Sequence, residues 1–488
     1  MAKHNLDSNY LDPDYEPVVN HSGNRAFHEV LATRMHRRTL MKGSVGAALA
    51  SIMGVGFAGC GSDSKSGGSN GGINPDVGTT DLGFEAIAVS TANTVVVPAG
   101  YSAKPFLPWG TPITGSYPMF RADASNSGAD QEQQIGMHHD GMHFFPIDFK
   151  AGGNRSDNRR VTGNTEMDIR GPVRGYQKLS TRFSKNGTQT RGTLNNCSMG
   201  PTPWGTYLAA EENWHGYFAN GSQTQPREQT RHGVGGATRY DWELAEGGDD
   251  QYVRFNITPN AANATDDYRN EANTYGYMVE IDPFTPESKP QKRTALGRFG
   301  HEGVIFAPVE EGKPVVCYSG DDSRFEYIYK FVSSRPYYAA TASGYLLDEG
   351  TLYVARFNDD GSGIWLPLTL DDSAFLASVD AAQGSQIGDV LFDGFESQAD
   401  VLLNTRLAAD IAGATPMDRP EWGAVDPNTG EVYFTLTNNS QRTEDQIDAA
   451  NPIAENRTGH IIRWSEDNDD FAATGFQWDI FVFAGEQG

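Results

Sequence analysis

Apolar residues in this chain come mostly in short runs bounded by Gly, Pro, Asn and Asp, and rarely at the spacing of an amphipathic helix. The runs TVVVPA, GTYLAAEEN, YGYMVEIDP, EGVIFAPV, KPVVCYSGD, FEYIYKFV, GTLYVARF, EWGAVDPNTGEVYFTLTNN and GHIIRWSED are rich in β-branched and aromatic residues and read as strands. Several share one layout: a Gly, a strand ending in a carboxylate, then a turn such as DPFTPES or DPNTGE. A loose repeat of such β-units predicts an all-β chain folded as a β-propeller of about six blades, with irregular loops and short helical insertions. One helix is predicted near 398–411, where Ser397 and Asp400 form an S-x-x-D cap and Leu402, Leu403, Leu407 and Ile411 share a face. The polar segments 150–193 and 215–272 read as long loops over one face of the ring.

Charge narrows the partners. The 488 residues carry 38 Lys and Arg against 63 Asp and Glu, a formal charge of -25. Such a surface repels phosphate backbones, so nucleic acid is not expected as a partner. Small anions would be repelled too unless bound cations reverse the local sign, so part of the acidic surplus is expected to hold metal. The three cysteines, Cys60, Cys197 and Cys317, cannot build a disulfide framework. Cys317 lies in the apolar run VVCYSG and is expected to be buried in a strand.

Cys60 has a different context. Arg37 and Arg38 directly precede a mildly apolar Gly/Ala-rich run too short to span a membrane, which resembles a twin-arginine export signal. The run ends in Phe57-Ala58-Gly59-Cys60, similar to a bacterial lipoprotein cleavage box, so Cys60 is the expected lipidation site. The predicted organisation is therefore an export signal over 1–60, a flexible Gly/Ser linker over 61–82 and a single catalytic propeller domain over 83–488. Partners follow: the twin-arginine export machinery and a membrane tether through lipidated Cys60. The expected location is the periplasm or the outer membrane, with possible display at the cell surface, and the expected state is a monomer.

The remaining thiol, Cys197, stands in NNCSMGPTPWGTYLAAEENW, ahead of a Pro/Gly turn, a short strand and the adjacent carboxylates Glu211 and Glu212. Side chains alternate along a strand, so only one of that pair can face the same way as Cys197. Soft thiolate favours iron, zinc or copper and carboxylate oxygens suit calcium or magnesium, so the mixed set suits a transition metal better than calcium alone. Further polar clusters sit at strand ends: His138, His139, Asp140 and His143; His301 and Glu302; Asp321, Asp322 and Arg324; Asp418, Arg419 and Glu421; Asn438 and Asn439; His460. Singly, each has a structural explanation as a turn, a core histidine or a surface ion pair. In a propeller they would meet at the central channel.

The strings HHDGM, NCSMGPTPWGTYLAAEE, GHEG, GDDSRFEYIYKF, GTLYVARFNDDGSGIWLPL, ATPMDRPEW and GHIIRW resemble the PhoX-type alkaline phosphatases, a family of exported bacterial phosphomonoesterases. The resemblance implies a six-bladed propeller whose channel carries a cluster of Fe(III) and Ca2+. It implies Cys197 as thiolate ligand of iron, Glu212, Glu302 and Glu421 as carboxylates bridging iron and calcium, and Asp321 or Asp322 on calcium. Glu211 joins the ligand set as the alternative to its neighbour. Arg419 would hold a phosphate oxygen, which a planar guanidinium can do bidentately. His301, His139 and Asn439 would be outer or substrate contacts. Arg419, Glu421 and Glu302 are thus the expected catalytic side chains. The reaction implied is hydrolysis of small phosphate monoesters by a metal-bound oxygen nucleophile. A calcium-dependent lactonase or phosphotriesterase, or a calcium-binding propeller lipoprotein without activity, is the alternative.

Overall fold

Neighbouring β-branched and aromatic runs separated by tight turns pair antiparallel, and in the computed structural model most of the predicted strands do so. The structure describes residues 87–88, 90–137, 139–146, 158–245 and 250–485. Arg37, Arg38, Cys60, the linker and His138 lie outside the described residues. Those described fall into two compact units. One holds residues from His139 onward apart from 158–160; the other holds the residues up to 137 together with 158–160.

The larger unit is mostly β. Its first sheet comprises β1 (Glu166–Arg170), β2 (Gln189–Arg191), β3 (Asn196–Pro201), β4 (Tyr207–Glu211), β5 (Met278–Ile281) and β6 (Gln291–Arg293), in the order β2-β1-β6-β5-β4-β3. Within it β3 to β6 form an antiparallel four-strand meander, and β1 adds to β6 in parallel. The second sheet comprises β7 (Ile305–Phe306), β8 (Pro314–Gly320), β9 (Ile328–Pro336), β10 (Gly350–Phe357) and β11 (Ser362–Pro367). After a small pair, β12 (Gln386–Ile387) and β13 (Val390–Leu391), it continues with β14 (Pro420–Val425), β15 (Val432–Leu436), β16 (His460–Glu466) and β17 (Gly475–Phe483). Its order, β14-β15-β16-β17-β11-β10-β9-β8-β7, joins two further meanders along β17 and β11.

That nine-stranded sheet nearly closes on itself. A Cβ on Gly320 of β8 would lie 2.4 Å from the Pro420 carbonyl oxygen of β14, an approach only glycine permits. A Cβ on Gly200 of β3 would similarly lie 2.3 Å from the Val304 carbonyl oxygen. The glycines therefore bring β3, the 300–304 segment, β8 and β14 side by side. Their ends carry the polar clusters picked out above.

Two cores support this convergence. One gathers Leu208, Met278, Phe299, Tyr329 and Leu352 under helical residues Val401 and Leu407, and it contains Cys317, buried as the sequence predicts. The other stacks Tyr318, Trp365, Phe434, Trp464 and Phe476 around a buried pair, Lys330 and Glu466, whose Nζ and Oε2 are 2.9 Å apart.

The longer helices are α1 (Ser373–Ala382), α2 (Gln398–Leu403) and α3 (Thr405–Ala412). The helix predicted over 398–411 is thus present with its Ser397 cap, but Asn404 leaves helical geometry (φ -111°, ψ 45°) and divides it. The side chain of Asn404 donates to Asp400 Oδ1 at 2.9 Å, competing with the helical ladder. The sequence reading missed α1, whose Asp372 cap accepts from the N–H groups of Ala374 and Phe375. It also missed β1 and β2 inside the polar 150–193 stretch.

In the smaller unit TVVVPA is not a strand; Val95 is 73% exposed there, since β-propensity without a partner strand forms nothing. Among its described residues is one short helix, Gly128–Gln131, with a capping box from Ser127 to Asp130. Among the described residues no helix is long and apolar enough to cross a membrane.

Candidate metal centre

The site is built where four backbone segments are stitched together. Ser198 N–H donates to the Glu302 carbonyl (2.8 Å), His301 N–H to the Glu211 carbonyl (3.0 Å), Asp322 N–H to the Gly300 carbonyl (3.1 Å) and Glu212 N–H to the Asn195 carbonyl (3.2 Å). These bonds place Cys197 on β3, Glu212 just past β4, Glu302 ahead of β7 and Asp322 just past β8 around one point. One ligand atom each from Glu212, Glu302 and Asp322 lies within 4.8 Å of the others, and all three residues are buried. A second set, Asp140, Cys197 and Glu302, meets the same limit. Glu302 belongs to both sets and joins them into one site.

Asp140 is the member that sequence reasoning did not assign. Its Oδ2 is 3.1 Å from Cys197 Sγ, and Gly141 N–H donates to the Cys197 carbonyl at 3.2 Å, which lays the HHDG segment along β3. The cluster is visible in the sequence, but nothing local shows that it lies against Cys197, 57 residues on. His139 and His143 are both exposed.

The alternation argument picks out one Glu of the pair. Glu211 points away from the cluster: its Oε1 accepts from Lys292 Nζ at 2.8 Å and its Oε2 from the N–H groups of Gly276 and Tyr277. Both ends of that ion pair are fully buried, so the carboxylate already has a compensating charge. The Asp pair divides in the same way. Asp321 takes both oxygens to Arg406, at 2.6 and 2.7 Å, whereas Asp322 meets Glu212 and accepts from Arg419 Nη2 at 2.9 Å.

His301 is not brought to the cluster. Its ring stacks on Phe299 with centroids 3.6 Å apart, Nδ1 is 2.9 Å from Ser319 Oγ, and burial holds its pKa down to about 3. Asn439 is fully buried beyond β15; its N–H donates to the Asn456 carbonyl and its Oδ1 accepts from the Gln441 N–H. Glu421, half-buried, accepts from Thr437 Oγ1 at 2.7 Å and is close enough to raise Glu302. Arg419 sits in the left-handed region at φ 56°, as does Asn195 at φ 47°, whose carbonyl accepts the Glu212 N–H, so non-glycine outliers hold backbone on two sides of the site.

The electrostatics are those of an anion cluster lacking counter-charge. Burial raises Glu302 to about 8, with Asp322, Glu421 and Asp140 adding repulsion that the Cys197 contact only partly offsets. Burial and Glu302 raise Glu212 to about 7. Asp322 is pushed well above the carboxylate range by burial, against the pull of Arg419. The Cys197 thiol is driven far up by burial and by Glu212 and Glu302, so without added positive charge it keeps its proton.

The donor set fits cations. Glu302 Oε2 and Asp322 Oδ1 are buried with no hydrogen-bond donor among the described residues, and buried oxygens in that state call for a partner. Carboxylates together with one thiol match hard and soft metal preferences side by side.

A buried cluster of carboxylates and a thiol beside an arginine has the donors to hold cations and, through them, an anion. Comparison with known proteins narrows this. The family profile described as "Alkaline phosphatase PhoX" matches residues 82–155 and 148–488. Among solved structures, the chain is similar to Pseudomonas fluorescens PhoX in complex with vanadate, a transition state analogue. The two are 35% identical, with a TM-score of 0.69, over 81% of this chain and 75% of that one. Comparison with curated proteins gave no match. The chain belongs to the PhoX alkaline phosphatase family and is a phosphoric monoester hydrolase. This selects the phosphatase over the lactonase, phosphotriesterase and non-enzymatic alternatives.

Proposed function

We propose that this phosphatase hydrolyses small phosphate monoesters at a cluster of Fe(III) and Ca2+ held by Cys197, Glu212, Glu302, Asp322 and Glu421, with Asp140 completing the donor set. The observation that carries the reading is the convergence of Glu212, Glu302 and Asp322, buried and within 4.8 Å of one another, with Glu302 Oε2 and Asp322 Oδ1 lacking a hydrogen-bond donor among the described residues. Bound cations at such a site neutralise phosphoryl oxygens and acidify coordinated water, together worth several kcal/mol of barrier.

The chain's own residues supply the rest. Arg419, oriented by Asp322, offers N–H donors to a phosphate oxygen, a contact that strengthens as charge builds in the transition state. Glu421, which accepts from Thr437 Oγ1, is two residues from Arg419 and close enough to repel the Glu302 and Asp322 carboxylates. The buried walls around Glu212 and Glu302 keep water from screening these charges. Glu211, Asp321 and His301 act in this reading as supports, each engaged with another partner.

Two meanders of four strands and one of five, with β3, β8 and β14 meeting at the site, support a propeller of about six blades. Export through the twin-arginine route, lipidation at Cys60, a single catalytic domain from residue 83 and a periplasmic or membrane-tethered monomer complete the proposal. It rests on the sequence pattern ArgArg, h-region and FAGC.

Vanadate is bound as a transition state analogue by the structural relative, which suggests the test. The metal-replete protein should turn over p-nitrophenyl phosphate, and vanadate should inhibit it competitively. Absence of turnover in protein shown to carry both iron and calcium contradicts the proposal.

A further inference from the structure

The mutual repulsion of Glu212, Glu302 and Asp322 raises the question of what holds them together. Part of the answer lies behind the cluster, on α3. Arg406 is buried and forms a planar two-point pair with Asp321, Nη2 to Oδ1 at 2.6 Å and Nε to Oδ2 at 2.7 Å. Its Nη2 also reaches Ser323 Oγ at 3.2 Å. The same Asp321 Oδ1 accepts the Gly300 N–H at 3.2 Å, while the Gly300 carbonyl accepts the Asp322 N–H. One carboxylate thus ties the residue two before Glu302 to the residue directly before Asp322, and a guanidinium locks that carboxylate.

The lock is anchored further back. Arg406 Nε lies 3.6 Å from Glu326, and Glu326 pairs with Arg231 at 2.5 and 3.0 Å. Arg231 pairs in turn with Asp410 of α3 at 2.7 and 2.9 Å, and Tyr327 donates to Asp410 at 2.7 Å. Arg231 comes from the 215–272 segment, which read in the sequence as a loop insertion. Replacing a buried ion pair by apolar residues is often neutral for stability, so stability alone gives this chain of charges little reason to exist. What charge adds is direction: a guanidinium fork fixes a carboxylate in plane and in angle.

We propose that Arg406 is a positioning residue of the phosphatase site, acting through Asp321 to set the spacing of Glu302 and Asp322 without touching substrate. This rests on the reading that Glu302 and Asp322 hold the cations. Outer partners of metal ligands typically contribute about 10–100-fold in affinity or activity, which sets the expected size.

The test compares Arg406→Lys, Arg406→Met and the neutral pair Asp321→Asn/Arg406→Gln in the full chain. Three readouts are taken: calcium affinity by titration of the stripped protein, kcat and KM for p-nitrophenyl phosphate, and the thermal midpoint of the stripped protein. The expected result is calcium affinity and kcat each lower by about tenfold or more in every variant, with KM less affected. Arg406→Lys, which keeps charge but loses the fork, should recover the midpoint without recovering calcium affinity. A purely structural role would restore both together.

Folded variants with parental calcium affinity and kcat overturn the proposal; if Arg406→Met does not fold, Arg406→Lys decides alone. Glu302→Gln and Asp322→Asn serve as controls. If these bind calcium and turn over substrate like the parent, the carboxylate reading fails and takes the positioning role with it. If they lose both while the Arg406 variants lose neither, only the positioning role is overturned.

Discussion

Cys197 shows how a single side chain depends on what surrounds it. Its thiol is held protonated by burial and by Glu212 and Glu302, so cation binding must displace the proton. Cys197→Ser removes the soft donor and leaves the carboxylates in place. It should therefore lose bound iron and any thiolate-to-iron absorption band while retaining calcium. Elemental analysis with a visible spectrum checks this, and full iron retention would remove the thiol from the ligand set. Alternation along β4 made it legible that only one of Glu211 and Glu212 could face the thiol. Which one was not legible, because the partner that claims Glu211 is Lys292, 81 residues away. The same holds for Asp321, whose claim by Arg406 across 85 residues no local pattern signals. Asp140 stood among the candidate cluster residues without a role, because nothing local signals that Cys197, 57 residues away, lies against it.

Strands set the spacing that the residues exploit. Most apolar runs read as strands appear as strands, because period-two patterning and Gly/Pro boundaries are local properties. TVVVPA failed for lack of a partner, and α1 and the break at Asn404 escaped because weak amphipathicity and a side-chain hydrogen bond leave little periodic trace. The approach of β8 to β14 is fixed by Gly320. Gly320→Ala should push the two strands apart, lowering stability by about 1–3 kcal/mol. Because Asp322 follows one strand and Arg419 precedes the other, kcat should fall as well. Thermal denaturation and p-nitrophenyl phosphate kinetics on one preparation check both. Parental stability with parental kcat would mean that the approach does not govern the site.

For the molecule as a whole, the acidic surplus and the buried carboxylates tie stability to cations and pH. In the metal-free protein Glu212 holds its proton up to about 7 and Glu302 up to about 8, above the ordinary 4.5. The folded state then binds more protons than the unfolded chain, so stability falls as pH rises toward 8. Below about 6.5 the buried His232, His301 and His460, held neutral, act in the opposite direction, which leaves pH 6.5–8 as the clear window. The thermal midpoint of stripped protein should drop across that window; Glu326, raised to about 7 by burial outside the cluster, adds to the drop, so added calcium should reduce it while releasing protons. A midpoint that is flat or rising in stripped protein would count against a proton-holding cluster.

The central claim is that the carboxylate and thiol cluster works by holding cations. The most direct measurement is p-nitrophenyl phosphate turnover by one preparation before chelation, after chelation and after readdition of iron and calcium, with metal content measured at each stage. The account predicts that turnover and metal are lost together and return together. Undiminished turnover in protein shown to be free of metal would contradict it.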